Sequence, residues 1–300
     1  MPVSGILSIM AQQPPLYSPD RPGRVETSLE PYALARPHQA EWQQILPGHR
    51  LPVIVKSLLI VALGVYLSGG PLETQAVETT MALTAVLWAV LYALNESTDL
   101  IFEHRLLVPK YLPAGLLALA ILLCLSAAFL SPALSLLLGL MIAGQVAYCL
   151  PPMRLKRHWW AVFVLSGTLN PILRLECGAV WGKHPIPFLA YLVFISLHLG
   201  ASSRTRVLLR ERDQKLGYQI APAWLEGVGK LCTGLGLTGG VLLCMQEVLP
   251  RFLLFSFPLV AAFVLYAWSE RAVSVARLRI GWIWFAILAL LILVGLYTMR

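Results

Sequence analysis

The chain has 300 residues, of which 58% are hydrophobic and only 13% charged, with a mean hydropathy of +0.72 and a formal net charge of +8. That balance excludes an ordinary water-soluble domain, in which about a quarter of residues are charged, and makes a bilayer the main solvent. Nothing in the sequence resembles a nucleic-acid-binding module, so the positive excess suits anionic headgroups or a phosphorylated substrate instead.

Residues 1–30 are rich in Pro, Gln and charge and read as a poorly ordered tail. They lack the basic start, single apolar core and cleavage site of a signal peptide. Residues 31–50, with Tyr32, Leu34, Trp42, Ile45 and Leu46, read as an interfacial segment. Nine apolar stretches follow, at 51–68, 79–94, 112–131, 133–150, 159–182, 185–202, 223–246, 251–268 and 280–299. Their lengths approach the roughly 20 residues that a bilayer-crossing helix needs. Gly and Pro within them, such as Pro171, Gly178 and Gly236, are tolerated in membrane helices because neighbouring helices satisfy the freed backbone groups. A β-barrel would show alternating segments instead of these runs. The predicted fold is therefore all-α: a polytopic protein with nine transmembrane helices across residues 31–300. Cys124, Cys149, Cys177, Cys232 and Cys244 are scattered in or at the edges of apolar runs, a pattern of packing residues and not of a disulfide framework or metal site.

With the N-terminus in the cytoplasm, alternation places residues 95–111, 151–158, 203–222 and 269–279 on the cytoplasmic side. Together with the tail they hold 17 of the 23 Lys and Arg, against three on the opposite side and three within spans, Lys56, Arg174 and Lys230. The positive-inside rule selects this orientation, that of an integral protein of a bacterial inner membrane or its equivalent.

Three polar segments carry candidate chemistry. After the second stretch, Asn95, Asp99 and Glu103 recur every four residues, so a continuing helix stacks them on one face. An amide oxygen and two carboxylates in a stripe form a hard-oxygen site suited to Mg²⁺; a solvated helix end is the plainer alternative. After the fourth stretch comes Tyr148, a Pro151-Pro152 turn and the cations Arg154, Lys156 and Arg157. They present donors to an anion, or form an ordinary basic inside loop. After the sixth, residues 204–215 hold five cations and two acids, with Arg206, Arg210 and Asp213 spaced for one helical face. That face suits a diphosphate and its metal, or a lipid headgroup. Within the fifth stretch Asn170 and Arg174 lie one turn apart, while Glu176 projects elsewhere and is positioned to meet Lys56, Lys230 or an acceptor. His198 lies about a turn before the basic loop and reads as a base or a packing histidine.

The three segments, in this order and after these stretches, resemble the UbiA superfamily of intramembrane prenyltransferases, from Arg36-Pro37-His38 to the last helix. The resemblance implies nine helices around a central chamber with cytoplasmic helical loops. It also implies Mg²⁺ as cofactor, an isoprenoid diphosphate as substrate and a hydrophobic acceptor, in a membrane-lipid setting. Carried over to this chain, it makes Asn95, Asp99, Glu103 and Asp213 the metal ligands, with Asp99, Glu103 and Asp213 catalytic. Asn95, Tyr148, Arg154, Lys156, Arg174, Arg206 and Arg210 become diphosphate-binding, and Asn170, Glu176 and His198 line the chamber. Glu103 stands where the family usually has Asp. Leu209 occupies the other acidic position of the second motif, which leaves open a weakened metal site, a shifted ligand such as Glu211, or direct binding by Arg206 and Arg210.

The implied reaction is ionisation of the donor at the cytoplasmic boundary, with Mg²⁺ and cationic side chains neutralising the departing diphosphate. Aromatic faces such as Tyr148, Trp160 and Phe163 shelter the allylic cation. Transfer to an aromatic or other lipid-soluble acceptor is the leading reading. The alternatives are a terpene cyclase of the same superfamily and a non-catalytic isoprenoid-lipid-binding relative. A transporter is disfavoured because the charge clusters lie in loops and not at mid-span.

Overall fold

The structure, a computed structural model, describes residues 51–102, 111–269 and 275–298, all within one unit, Gln39–Arg300. The tail, the interfacial segment and Arg36-Pro37-His38 lie outside the described residues.

Every long described element is helical. Helix α1, Leu51–Leu67, ends in a glycine turn: Gly69 adopts a left-handed backbone (φ +69°), Gly70 N–H donates to the Val65 carbonyl and Gly69 N–H to that of Tyr66. This pairing satisfies carbonyls that a helix end otherwise leaves open. Helix α2, Gln75–Phe102, has 28 residues and continues well past its apolar stretch. Helices α3, Leu112–Ala128, and α4, Pro132–Cys149, form a hairpin in which Ser131 caps α4 by accepting from Leu134 N–H, with Pro132 at the first turn.

Helix α5 runs from Trp159–Ala161 through a π-helical stretch, Val162–Leu169, into Asn170–Ala179. Its sequence accounts for the widened turn: Pro171 has no N–H to give the Gly167 carbonyl, and its ring needs space on that side. Helix α6, Phe188–Leu208, breaks at Leu209 and resumes as the short α7, Arg210–Lys215. Then come α8, Leu225–Met245, a 3-10 turn at Arg251–Ser256 leading into α9, Phe257–Trp268, and α10, Val275–Thr298.

Small residues set the closest helix pairs. A Cβ on Gly64 of α1 would overlap the Leu175 carbonyl of α5, and one on Gly178 would overlap that of Val61. Gly229, Gly236 and Gly239 of α8 receive Ser203, Leu197 and Val193 of α6 in the same way. In lipid, where tails are as apolar as Leu, such backbone approach is a main source of helix association. On the outer surface, Leu122, Leu125 and Phe129 of the α3 region and Leu136 of α4 are exposed, an apolar coat that suits acyl chains and not water.

The nine apolar stretches each coincide with a helical segment among the described residues. By length and composition, however, three helices are sufficient to cross a bilayer: Gln75–Phe102, Pro132–Cys149 and Leu225–Met245. Ile54–Leu67, Leu112–Ala128, Arg251–Tyr266 and Ala286–Thr298 are apolar but shorter. The difference has local causes. Asn170, Arg174 and Glu176 interrupt α5, and Ser202 to Arg206 make the end of α6 polar.

Candidate functional site

Because α2 extends to Phe102, Asn95 and Asp99 sit one turn apart on a helix, as their spacing predicts. Both line a cavity of about 440 Å³ among α1, α2, α4, α5, α6, α8 and α9. Glu103 lies outside the described residues.

The loop after α4 is folded over the mouth of this chamber. A cis Pro151-Pro152 bond and a left-handed Arg154 (φ +40°, ψ +50°) turn the chain, and the 3-10 turn at Leu155–Arg157 delivers Lys156 to the wall. Lys156 Nζ pairs with one Asp99 carboxylate oxygen; the other lies 3.6 Å from Arg212 Nη2 of α7. Arg206 Nη1 lies 2.9 Å from Asp213 Oδ2, and Nη2 donates to the Lys156 carbonyl oxygen at 2.5 Å. Asp99 and Asp213, separated by more than a hundred residues in sequence, are thus joined through Lys156 and Arg206 on one wall. Burial, then the charges of Arg212, Arg206 and Arg157, press the Lys156 amine down from its usual value, to about 7; the Asp99 carboxylate acts in the opposite sense.

Tyr148, Asn170 and His198 also line the chamber. Four expected residues do not. Arg154 is buried in its loop with its guanidinium 4.9 Å from the Phe102 ring centroid and 5.9 Å from that of Tyr218; its left-handed backbone aims it at this junction. Arg210 donates to the Pro222 carbonyl at 2.9 Å, because the break at Leu209 turns α7 so that Asp213 stays with Arg206 while Arg210 faces the following loop. Arg174 is buried behind Trp88, 3.9 Å from its ring centroid, so Trp88 and not Arg174 meets the cavity. Glu176 accepts from the Tyr191 hydroxyl, between α5 and α6, and lies outside the chamber lining. Lys230, another suggested partner for Glu176, pairs with Glu226 at 2.9 Å. Trp160 stacks on His158 and Phe163 meets the edge of Trp159, so neither aromatic lines the cavity. Glu211 is likewise absent from the wall, whereas Leu209 is part of it.

Several lining residues escaped the motif reading. Arg204 and Arg212 shared their segment with stronger candidates, Tyr218 follows the motif in an irregular loop, and Trp88 belongs to a run that reads as ordinary helix. Lys56 was noticeable only as a cation within a span.

Among the described residues no three His, Cys, Asp or Glu side chains gather as a metal site. The donor set nevertheless fits one hard cation shared with a substrate: Asn95 Oδ1 is buried without a hydrogen-bond partner, one turn from Asp99. Mg²⁺ typically takes one or two carboxylates and completes its shell with phosphate oxygens and water.

Comparison with known proteins yields a structural likeness. No protein-family profile and no curated protein sequence matches the chain. Its fold is that of a solved UbiA homologue from Archaeoglobus fulgidus, a structure bound to Cd²⁺, with a TM-score of 0.57 over 82% of this chain and 97% of that one. The two are 15% identical.

Proposed function

We infer that this protein is an intramembrane transferase of UbiA type, which ionises an isoprenoid diphosphate with Mg²⁺ and moves the prenyl group to a lipid-soluble acceptor. The observation that carries the reading is the convergence of Asp99, Lys156, Arg206, Arg212 and Asp213 on one end of a chamber. The remainder of that chamber is lined largely by apolar and aromatic side chains. The UbiA-like fold supports it.

Asn95, Asp99 and Asp213 would hold Mg²⁺, whose positive charge would offset that of the diphosphate. Lys156, Arg206 and Arg212 lie at the same wall and bind the diphosphate. Arg206 already spans Asp213 and the Lys156 carbonyl, so its guanidinium is pre-oriented and little further freedom is lost when an anion arrives. These donors stabilise charge that grows on the leaving group as the allylic C–O bond lengthens. Tyr148, Tyr92 and Trp88 line the wall, where they bind the prenyl chain and shield a cationic carbon. Water is held back by apolar lining residues such as Ile60, Val162, Leu165 and Phe194. The active end faces the cytoplasm, in keeping with the concentration of Lys and Arg in the loops that form it.

The test is to give purified protein prenyl diphosphates of several lengths with Mg²⁺, with and without candidate acceptors, and to analyse organic extracts by mass spectrometry. Prenylated product that requires acceptor is the expected result. A cyclic hydrocarbon or terpene alcohol formed without acceptor reassigns the protein as a cyclase. Absence of product and of diphosphate release with every donor overturns the enzymatic reading in favour of a lipid-binding protein.

A further inference from the structure

Along the chamber wall from the cation cluster lies a polar group that diphosphate binding does not use. His198 of α6 lines the cavity. Its Nδ1 is 2.9 Å from the Phe194 carbonyl oxygen, and since a carbonyl only accepts, Nδ1 carries the proton that makes this bond. Nε2 is buried and has no hydrogen-bond partner. A histidine kept for packing would have both nitrogens satisfied; this one holds a fixed tautomer with its second nitrogen left over.

The charges around it give that nitrogen a use. Lys56 of α1 shares the cavity wall, and both Lys56 and Arg174 of α5 act on His198 electrostatically. The wall also carries the polar groups of Tyr92 from α2, Gln145 and Tyr148 from α4, Asn170 from α5 and Thr233 from α8, and the cations Arg204 and Arg206 of α6, Lys156 and Arg212. Among the described lining residues the carboxylates are Asp99 and Asp213, both engaged at the other cluster. A proton arriving alone on Nε2 would be repelled by Lys56 and Arg174. One that arrives as an anion forms in the same cavity is not, because the new negative charge offsets that of the imidazolium and of the lysine on the shared wall. His198 stands eight residues before Arg206 on α6, about 12 Å along the helix axis. That separation accommodates a diphosphate ester bond and one ring-sized acceptor.

Resting on the transferase reading above, we propose that His198 is a catalytic residue that takes the hydroxyl proton of the acceptor on Nε2, while Lys56 stabilises the oxygen left negative. In the complete step the donor's allylic C–O bond breaks and its electron pair leaves with the diphosphate. The acceptor's O–H bond breaks with its pair retained by the acceptor, which forms the new bond to the allylic carbon. The proton stays on Nε2 until product departs. The acceptor class is therefore a lipid-soluble molecule with an acidic hydroxyl, and His198 is the residue by which this chain selects it.

The experiment uses the full chain in detergent with an alkyl-substituted 4-nitrophenol and no prenyl diphosphate. Probe binding is read by quenching of tryptophan fluorescence, and proton transfer by the nitrophenolate absorbance well below the probe's own pKa. Wild-type protein is expected to bind the probe in ionised form. His198→Gln, which keeps polarity and approximate size but cannot take the proton, is expected to bind the probe yet lower its ionised fraction at least about tenfold, one pKa unit. Lys56→Met is expected to lower the ionised fraction in the same direction. Absence of probe binding to wild type, binding without ionisation, or full ionisation in His198→Gln each overturns the proposal. Failure of the underlying reading registers separately, as absence of diphosphate release from a prenyl diphosphate by wild-type protein.

Discussion

Asp99 and Asp213 carry the same charge, but their surroundings assign different consequences to losing it. Asp213 is 2% exposed and its partner Arg206 is 8% exposed, whereas Asp99 is 19% exposed and shared between Lys156 and the more open Arg212. Asp99→Asn leaves the buried Lys156 amine facing a neutral amide, so it is expected to lower the unfolding midpoint less than the loss of a fully buried pair and to lower diphosphate release by about 10²–10³-fold, the usual cost of removing a preorganised charge from a reacting centre. Wild-type turnover in Asp99→Asn would contradict its role. Arg206→Met removes one half of a buried pair and should cost about 3 kcal/mol of stability besides activity, measurable as a lowered unfolding midpoint. At Arg154 the backbone itself can be tested. Glycine accepts φ +40° without penalty and alanine does not, so Arg154→Gly should be more stable than Arg154→Ala by about 1 kcal/mol, although both lose the contacts with Phe102 and Tyr218. Residue identity in the sequence marked Asn95, Asp99, Lys156, Arg206 and Asp213. It did not separate them from Arg154, Arg174 and Arg210, because a cation's destination depends on which way its helix or loop turns.

The elements explain that separation. Periodicity locates helices, and the stripe from Asn95 to Asp99 was legible because α2 continues as a regular helix to Phe102. The face drawn through Arg206, Arg210 and Asp213 assumed the same regularity in a segment that breaks at Leu209. The break keeps Asp213 against Arg206 and sends Arg210 to Pro222. No spacing rule shows it, since Leu is a good helix former. Close approach between α1 and α5 is the other feature of this scale with a measurable consequence. Gly64→Ala or Gly178→Ala would place a methyl group on a backbone carbonyl of the opposing helix. Each should destabilise by about 1–3 kcal/mol and, through displaced α5, disturb Asn170 at the chamber wall. Wild-type melting behaviour in both variants would show that these helices separate freely.

In the whole molecule, the cluster of paired charges lies at one end of the bundle. The ends of α2 and α6, the loop after α4 and α7 meet there through the contacts of Asp99, Lys156 and Arg206. At the other end, Lys183 and His184 N–H groups donate to the Ser68 carbonyl, and the Tyr297 hydroxyl reaches the Leu72 carbonyl at 3.3 Å. Gln219 and His184 are exposed residues of the opposite ends. Cysteines placed at these two positions should react with a membrane-impermeant maleimide from opposite faces of a sealed vesicle, Gln219→Cys from the cytoplasmic one. Labelling of both from one face would refute the orientation.

Hydrophobic run lengths and the placement of Lys and Arg were enough, by themselves, to specify an all-helical chain rich in apolar elements and to pick the loops that carry charge. Those properties follow from solvation, which acts on each segment separately. Which charges face one another was settled only when the chain closed. Pairing of Lys156 with Asp99, retreat of Arg174 behind Trp88 and capture of Glu176 by Tyr191 depend on helix rotation and on breaks within helices, and these answer to packing between segments distant in sequence.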